Sequence, residues 1–175
     1  MELWDLYDRD RIPTGEVHER GKPLPEGRYH MVVHVVIFNT KGEMLIQQRQ
    51  PFKEGWPNLW DITVGGSAIA GDTSRTAAER EVMEEIGLAI DLSNEQPKLI
   101  LPFDTGFDDV YTLTMDVDLT TLHLQESEVQ AVKWACKEDI LAMLADGRFL
   151  PYHRAFIELL FALKASRGAH VSKLG

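Results

Sequence analysis

Cysteine is nearly missing: Cys136 is the only one in 175 residues. No intramolecular disulfide can form, which excludes a small secreted scaffold held by bridges and points to a reducing compartment. Basic residues are outnumbered, 18 Lys and Arg against 28 Asp and Glu, for a formal charge of -10. So acidic a chain repels the phosphate field of nucleic acid or of an anionic membrane, and neither is an expected partner. Small anionic ligands remain compatible, because a bound divalent cation reverses the local sign of a carboxylate cluster. Long apolar runs are also missing. Residues 31–38 and 155–163 are the most apolar stretches, and each is too short to span a bilayer and is broken by His34 or Glu158. The start, Met1 to Asp10, carries acids where a signal peptide needs a basic segment followed by an apolar one. No repeat, low-complexity block or Pro/Gly/Ser-rich linker divides the sequence. The expectation is one soluble cytoplasmic domain over residues 1–175, with 1–29 as an amino-terminal extension.

What is present reads as strands interspersed with helices. Glu2 to Tyr7 fits a short strand. The stretch from Asp8 to Gly27 reads as turn and polar coil, with Pro13, Pro23 and Pro25 keeping it out of helix. Met31 to Phe38 is β-branched and apolar, Asn39-Thr40-Lys41-Gly42 supplies turn chemistry, and Glu43 to Arg49 returns, which predicts a hairpin. Trp60 to Val64 alternates and runs into Gly65-Gly66. A helix is predicted over Thr73 to Ile86, with Asp72 or Thr73 as its cap and Gly87 closing it. Strands fit 98–102, 110–117 and 129–134, and helices fit 137–145 and 151–164. This order implies an α/β chain, a mixed sheet layered by helices.

The helix over 73–86 carries the chemistry. At 100° per residue, Glu81, Glu84 and Glu85 fall within an arc of roughly 100°, and Ala78, Val82 and Ile86 occupy the arc beside it. The apolar stripe is expected to pack and the acidic stripe to face a cleft. By itself, a run of acids on a helix is more often a solvated face than a site. Three acids at i, i+3 and i+4 nevertheless repel one another, by a few tenths of a kcal/mol per exposed pair. Hard cations such as Mg²⁺ take oxygen ligands and would remove that repulsion.

Around these acids the chain resembles a known motif. Gly66, five residues, Asp72, seven residues, then Arg80-Glu81-Val82-Met83-Glu84-Glu85-Ile86-Gly87-Leu88 is similar to the Nudix box, meeting eight of its nine specified positions over residues 66–88. The departure is Asp72, where the family has Glu; Asp still serves a helix start, and any metal role at this position is in doubt. The resemblance implies an α/β/α sandwich and a hydrolase that cleaves a diphosphate linkage with one to three Mg²⁺ or Mn²⁺ ions. Glu81, Glu84 and Glu85 would be the metal-binding acids, Gly66 would add a backbone carbonyl, and Arg80 would orient the glutamates. A box glutamate, or an acid read as a loop residue (Asp108, Asp109, Glu126 or Glu128), would take the proton of the attacking water. Each of those four is otherwise an ordinary solvated acid.

A second resemblance concerns Tyr29 to Asn39 and Arg49-Gln50-Pro51-Phe52-Lys53-Glu54-Gly55-Trp56-Pro57-Asn58-Leu59-Trp60, which look like isopentenyl-diphosphate isomerases, relatives within the Nudix group. It implies that Arg49 and Lys53 hold the substrate diphosphate, as a fork donor and a point charge, and that His30 binds metal. A solvated strand-end arginine, a loop lysine and a hydrogen-bonded histidine are the plainer readings. The isomerase cysteine aligns with Gly65, so the agent that moves the alkene proton is missing and hydrolysis is favoured. Trp60 and Trp134 read as core, and Trp56 is divided between packing and substrate contact. Three functions stay open: a diphosphatase acting on a nucleoside diphosphate derivative, an isoprenoid-diphosphate isomerase, and a catalytically silent sensor. Specificity is expected from residues 1–29, the 52–59 loop and 104–109, and the extension could also join a homodimer.

Overall fold

The computed structural model describes residues 2–166 and 168–170. In chain order the strands and helices are β1 (Leu3–Tyr7), β2 (Pro13–Glu19), β3 (His30–Phe38), β4 (Met44–Arg49), β5 (Trp60–Asp61), β6 (Val64–Ser67), α1 (Ser74–Ile86), β7 (Leu99–Phe103), β8 (Gly106–Thr114), β9 (Val129–Ala135), α2 (Lys137–Ala145) and α3 (Arg154–Leu163). A seven-stranded mixed sheet runs β5-β4-β3-β8-β7, with β6 on β3 and β9 on β4. The β3–β8 pair is parallel along its whole length, and β3–β6, β4–β9 and β7–β8 are antiparallel.

Side-chain alternation along β3 builds both cores. Val33, Val35 and Ile37 point to one face and pack with Ala77, Ala78, Val82 and Ile86 of α1. Val36 and Phe38 point to the other, with Ile140 and Met143 of α2 and Ile157 and Leu160 of α3. Helices on both faces make the α/β/α sandwich that the sequence implied. Val82 and Ile86 are fully buried, and burial of each such aliphatic side chain contributes about 1.5–3 kcal/mol.

The hairpin of β3 and β4 opens a gap. The two strands share one register pair, Phe38 with Met44, next to their turn. Beyond it they part: β6 takes the edge of β3, from Val32–Ser67 to Val35–Val64, and β5 takes the end of β4 at Gln47–Asp61 and Gln48–Trp60. Glu81 of α1 and His34 of β3 lie over the two glycines of β6, Gly66 and Gly65.

Three stretches depart from the sequence reading. The segment read as coil after Asp8 contains β2, an extended partner for β1, because a lone Pro13 is tolerated at a strand start. The strand read as 110–117 begins at Gly106, so Asp108 and Asp109 belong to a strand and not to a loop. The last helix begins at Arg154, not Pro151.

The β1–β2 hairpin is a separate two-stranded sheet tied to the body at defined points. Ala70 donates its N–H to the Leu3 carbonyl at 2.7 Å, and the Gly71 N–H reaches Asp5 Oδ2 at 2.7 Å, so β1 lies along the loop between β6 and α1. Arg11, in the hairpin turn, donates to Asp109 Oδ2 at 3.0 Å and stacks over Phe107. Its backbone is left-handed, with φ at 65°, a strain that a non-glycine residue keeps only where its contacts hold it.

Candidate functional site

Helix α1 starts where Thr73 accepts from the Thr76 N–H and Thr76 returns a bond to the Thr73 N–H, a reciprocal cap. It ends at Gly87, whose φ of 67° suits the left-handed closing position. Asp72 therefore does not cap the helix. Its Oδ2 accepts two bonds from Arg80, Nε at 3.1 Å and Nη2 at 2.9 Å. It also receives the Ile69 N–H at 3.2 Å.

Arg80 is the hub of the box. Besides Asp72 it donates to the Ser67 carbonyl at 3.0 Å, to Glu81 at 2.9 Å and to Glu84 at 3.2 Å. Burial works against its charge, and the carboxylates of Asp72 and Glu81 more than offset that, so the guanidinium is held protonated. Arg80 thus pairs with both Glu81 and Glu84.

The three glutamates differ sharply in environment. Glu84 is half exposed. The Glu81 carboxyl lies over Gly66, in the volume that any Cβ at that position would take, which is why the strand needs glycine there. Burial, countered by Arg80 and reinforced by the charge of Glu84, raises the Glu81 pKa. Glu85 is buried and accepts from Gln47 Nε2 at 2.9 Å. Burial pushes its pKa up to about 8; the Gln47 bond opposes this, and the charges of Glu81, Glu128 and Asp61 add to it.

Among the described residues no three ligating side chains yet surround one point; the acids are drawn apart to Arg80 and Gln47. Two features nevertheless fit a divalent cation. Glu85 is a buried carboxyl that needs a positive neighbour to ionise, and Gln47 Oε1 beside it is buried with no donor. The donor set is all oxygen, which suits Mg²⁺ or Mn²⁺.

Arg49 and Lys53 each face an acid. Arg49 donates from Nε to the Gly55 carbonyl at 3.1 Å and comes within 3.8 Å of Asp61. Lys53 pairs with Glu128. Of the four acids considered for the water's proton, Glu128 is thus the one whose charge bears on Glu85. Asp109 is taken by Arg11 and Asp108 by His34. Trp56 is exposed in the loop, whereas Trp60 and Trp134 are partly buried against the two cores, as expected. His30 is buried and stacked on Trp4 with centroids 4.2 Å apart; its Nδ1 has no hydrogen-bond partner.

Several residues of the site were not legible beforehand. Asp61 is buried, accepts from the Tyr152 hydroxyl at 2.8 Å and from the Ile62 N–H at 2.7 Å, and has its pKa raised by burial against those bonds. Tyr152 comes from 91 residues away, so no local pattern joins them. His34 Nδ1 lies 2.7 Å from Asp108 Oδ1, and its ring edge fills the volume above Gly65. The parallel β3–β8 pairing makes that contact, and sequence spacing does not reveal it.

A model of the NUDIX domain matches residues 28–160. This chain belongs to the Nudix family. An uncharacterized Nudix hydrolase of Listeria innocua is 50% identical over 170 residues, covering 97% of this chain and 99% of the relative. An isopentenyl-diphosphate Δ-isomerase of Nocardia farcinica is 30% identical over 140 residues, covering 76% and 75%. A crystal structure from Deinococcus radiodurans superposes with a TM-score of 0.72 at 27% identity, covering 91% of this chain and 97% of that one. The Nudix domain thus explains the sandwich, and both resemblances seen in the sequence have counterparts among its relatives. No helix among the described residues is long and apolar enough to cross a membrane.

Proposed function

We propose that this Nudix chain is a Mg²⁺- or Mn²⁺-dependent hydrolase that cleaves the diphosphate linkage of a nucleoside diphosphate derivative or a related organic pyrophosphate. The observation that carries the reading is Glu85: a box carboxyl buried beside Gln47 and other acids, its pKa near 8, is poorly placed unless a cation joins it. Glu81, Glu84 and Glu85 would hold the ion, with the Gly66 carbonyl as a further oxygen. A cation there supplies neutralising charge to the diphosphate and lowers the pKa of a neighbouring water.

The chain's own groups do the rest. Arg80 keeps Glu81 and Glu84 on the cleft side of α1. Arg49 and Lys53 bind the diphosphate, Lys53 exchanging Glu128 for phosphate oxygen, and the freed Glu128 takes the proton of the attacking water. Isomerisation is disfavoured because residue 65 has no side chain, and the cysteine that does exist, Cys136, precedes α2 away from this cluster. A silent sensor would have no use for three mutually repelling box acids.

The test is a panel of nucleotide sugars, dinucleoside polyphosphates and nucleoside diphosphates, assayed for phosphate or nucleoside monophosphate release with and without Mg²⁺ or Mn²⁺. Release that requires metal, and that falls on the order of 10²-fold in Glu81→Gln or Glu85→Gln, is the expected result. A protein that binds metal but turns over nothing is a sensor. Conversion of isopentenyl diphosphate to its allylic isomer, followed by proton exchange in heavy water, would reverse the ranking of hydrolase over isomerase.

A further inference from the structure

Arg49 is held at one nitrogen and left open at two. Its Nε donates to the Gly55 carbonyl at 3.1 Å, while Nη1 and Nη2 have no hydrogen-bond acceptor among the described residues. The acid it faces is Asp61, whose Oδ2 comes to 3.8 Å from Nη1, a charge contact beyond hydrogen-bond length. Asp61 is also the register partner of Gln47, whose amide bonds Glu85, and Gln47 lies two residues before Arg49 on β4.

A buried carboxylate takes the donors within its reach, and an arginine fork is the strongest of them. Asp61 is 6% exposed and yet stops short of Arg49. Both of its hydrogen bonds fall on Oδ1, from the Ile62 N–H at 2.7 Å and from the Tyr152 hydroxyl at 2.8 Å. The first joins neighbours in the chain. The second spans 91 residues and ties the carboxyl to the segment before α3. The Tyr152 ring is fixed in its turn, with centroids 6.2 Å from Phe149 and 5.3 Å from Phe156. Burial and the charge of Asp61 raise the Tyr152 pKa, so the phenol keeps its proton and donates.

We infer that Tyr152 is a positioning residue: by holding Asp61 at Oδ1 it keeps Oδ2 from pairing directly with Arg49 and leaves the arginine fork free for the diphosphate. This rests on the reading of Arg49 as a diphosphate contact. A fork committed to a carboxylate must break charge-assisted bonds before it takes phosphate. A fork that faces the acid at 3.8 Å is oriented by its field and breaks none. Without the phenol, Asp61 keeps one hydrogen bond and lies about 1 Å from a hydrogen-bonded pair with Nη1. The underbonded carboxyl then captures the arginine.

The experiment uses the full chain with Mg²⁺ and imidodiphosphate, a diphosphate whose P–N–P bridge resists hydrolysis, titrated by calorimetry. Tyr152→Phe keeps the ring and removes only the hydroxyl. It should weaken imidodiphosphate about tenfold, the loss of about one hydrogen bond, and leave Mg²⁺ affinity within about twofold of wild type. Asp61→Asn separates positioning from packing, because it removes the carboxylate that would capture Arg49. Tyr152→Phe added to Asp61→Asn should therefore change imidodiphosphate affinity by less than about twofold relative to Asp61→Asn alone. On a substrate that is turned over, Tyr152→Phe should raise KM about tenfold with kcat within about twofold. Melting curves establish that each variant folds. A Tyr152→Phe loss of equal size with and without Asp61→Asn, a matching loss of Mg²⁺ affinity, a fall in kcat at constant KM, or no loss at all would each overturn the assignment. If Arg49→Ala binds imidodiphosphate as the wild type does, the reading of Arg49 fails and this inference with it. If Arg49→Ala loses binding and Tyr152→Phe does not, only the present inference fails. Hydrolysis is judged separately by turnover of the substrate panel, since imidodiphosphate binding needs no turnover.

Discussion

Glu85 makes the metal-free protein less stable as pH rises, and the size of the effect follows from its environment. An acid whose folded pKa is raised costs nothing below its unfolded value, and its penalty grows as pH climbs toward the folded value. With 4.5 unfolded and about 8 folded, and about 1.4 kcal/mol per pH unit, the upper bound on the stability lost between pH 5 and pH 7 is about 2.5 kcal/mol. Relaxation and water entry reduce this, so about 1–2 kcal/mol is the expected loss. For a chain of this length that is roughly a 3–6 °C fall in melting temperature. The assay is thermal unfolding in EDTA from pH 5 to pH 7 for wild type and Glu85→Gln. The glutamine variant lacks the titration and should be the more stable protein at pH 7. Mg²⁺ reverses the order by favouring the ionised carboxylate, which the variant cannot offer. Parallel pH profiles for the two proteins in EDTA, or equal stabilisation of both by Mg²⁺, would refute the assignment of Glu85 as a buried acid awaiting a cation.

Arg80→Ala should lower the hydrolytic rate by one to two orders of magnitude and destabilise the fold by about 3 kcal/mol, because it leaves the largely buried Asp72 and Glu81 carboxylates without their cation; rate and melting measurements test both. Arg11→Ala removes the partner of Asp109, which is 2% exposed, and should cost about 3 kcal/mol. Amide exchange should then speed up in β1 and β2 before the main sheet. Gly66→Ala pushes on the Glu81 carboxyl and should cut metal-dependent activity at least tenfold while the helical circular dichroism is kept. Gly65→Cys should yield no isomerase activity, since the His34 ring already fills the space a thiol would need.

The fold was legible wherever one period dominates. The β3 run is long and β-branched, and α1 has an apolar stripe with Gly87 as a stop; each was bounded to within a residue or two. Strand β2 was missed because Pro13 and Gly15 read as turn residues, and only its pairing with β1 holds Thr14 to Glu19 extended. In the candidate site, the box acids and Arg80 were marked by the Nudix-box resemblance, and helical spacing puts the acids on one arc of α1. Asp61, Tyr152 and His34 were not, and Asp108 was read only as a candidate loop acid, because long-range pairing brings them together: β3 meets β8 in parallel across 74 residues for the His34–Asp108 contact. Asp72 is intermediate. Its acid character was read correctly and its use as a cap was not, since Thr73 takes that role and frees Asp72 for Arg80.

The two glycines of β6 let side chains from two different elements settle against opposite faces of one strand. A residue with no side chain at 66 lets an acid from α1 settle against the strand; a residue with no side chain at 65 lets a ring from β3 do so on the reverse. These faces are packed by different helices, α1 on one and α3 on the other. A change at His34, Asp108 or Tyr152 disturbs the contacts on one face and leaves Arg80 and its carboxylates in place. A change at Gly66, Arg80 or Asp72 disturbs the box acids and leaves the other face intact. Double substitutions of residues from the two sets that share no hydrogen-bond partner, such as Asp72→Asn with Tyr152→Phe, should therefore show additive losses in free energy, within about 0.5 kcal/mol, when transition-state stabilisation is measured through kcat/KM. Strong coupling between Asp72→Asn and Tyr152→Phe would mean that the two faces form one site.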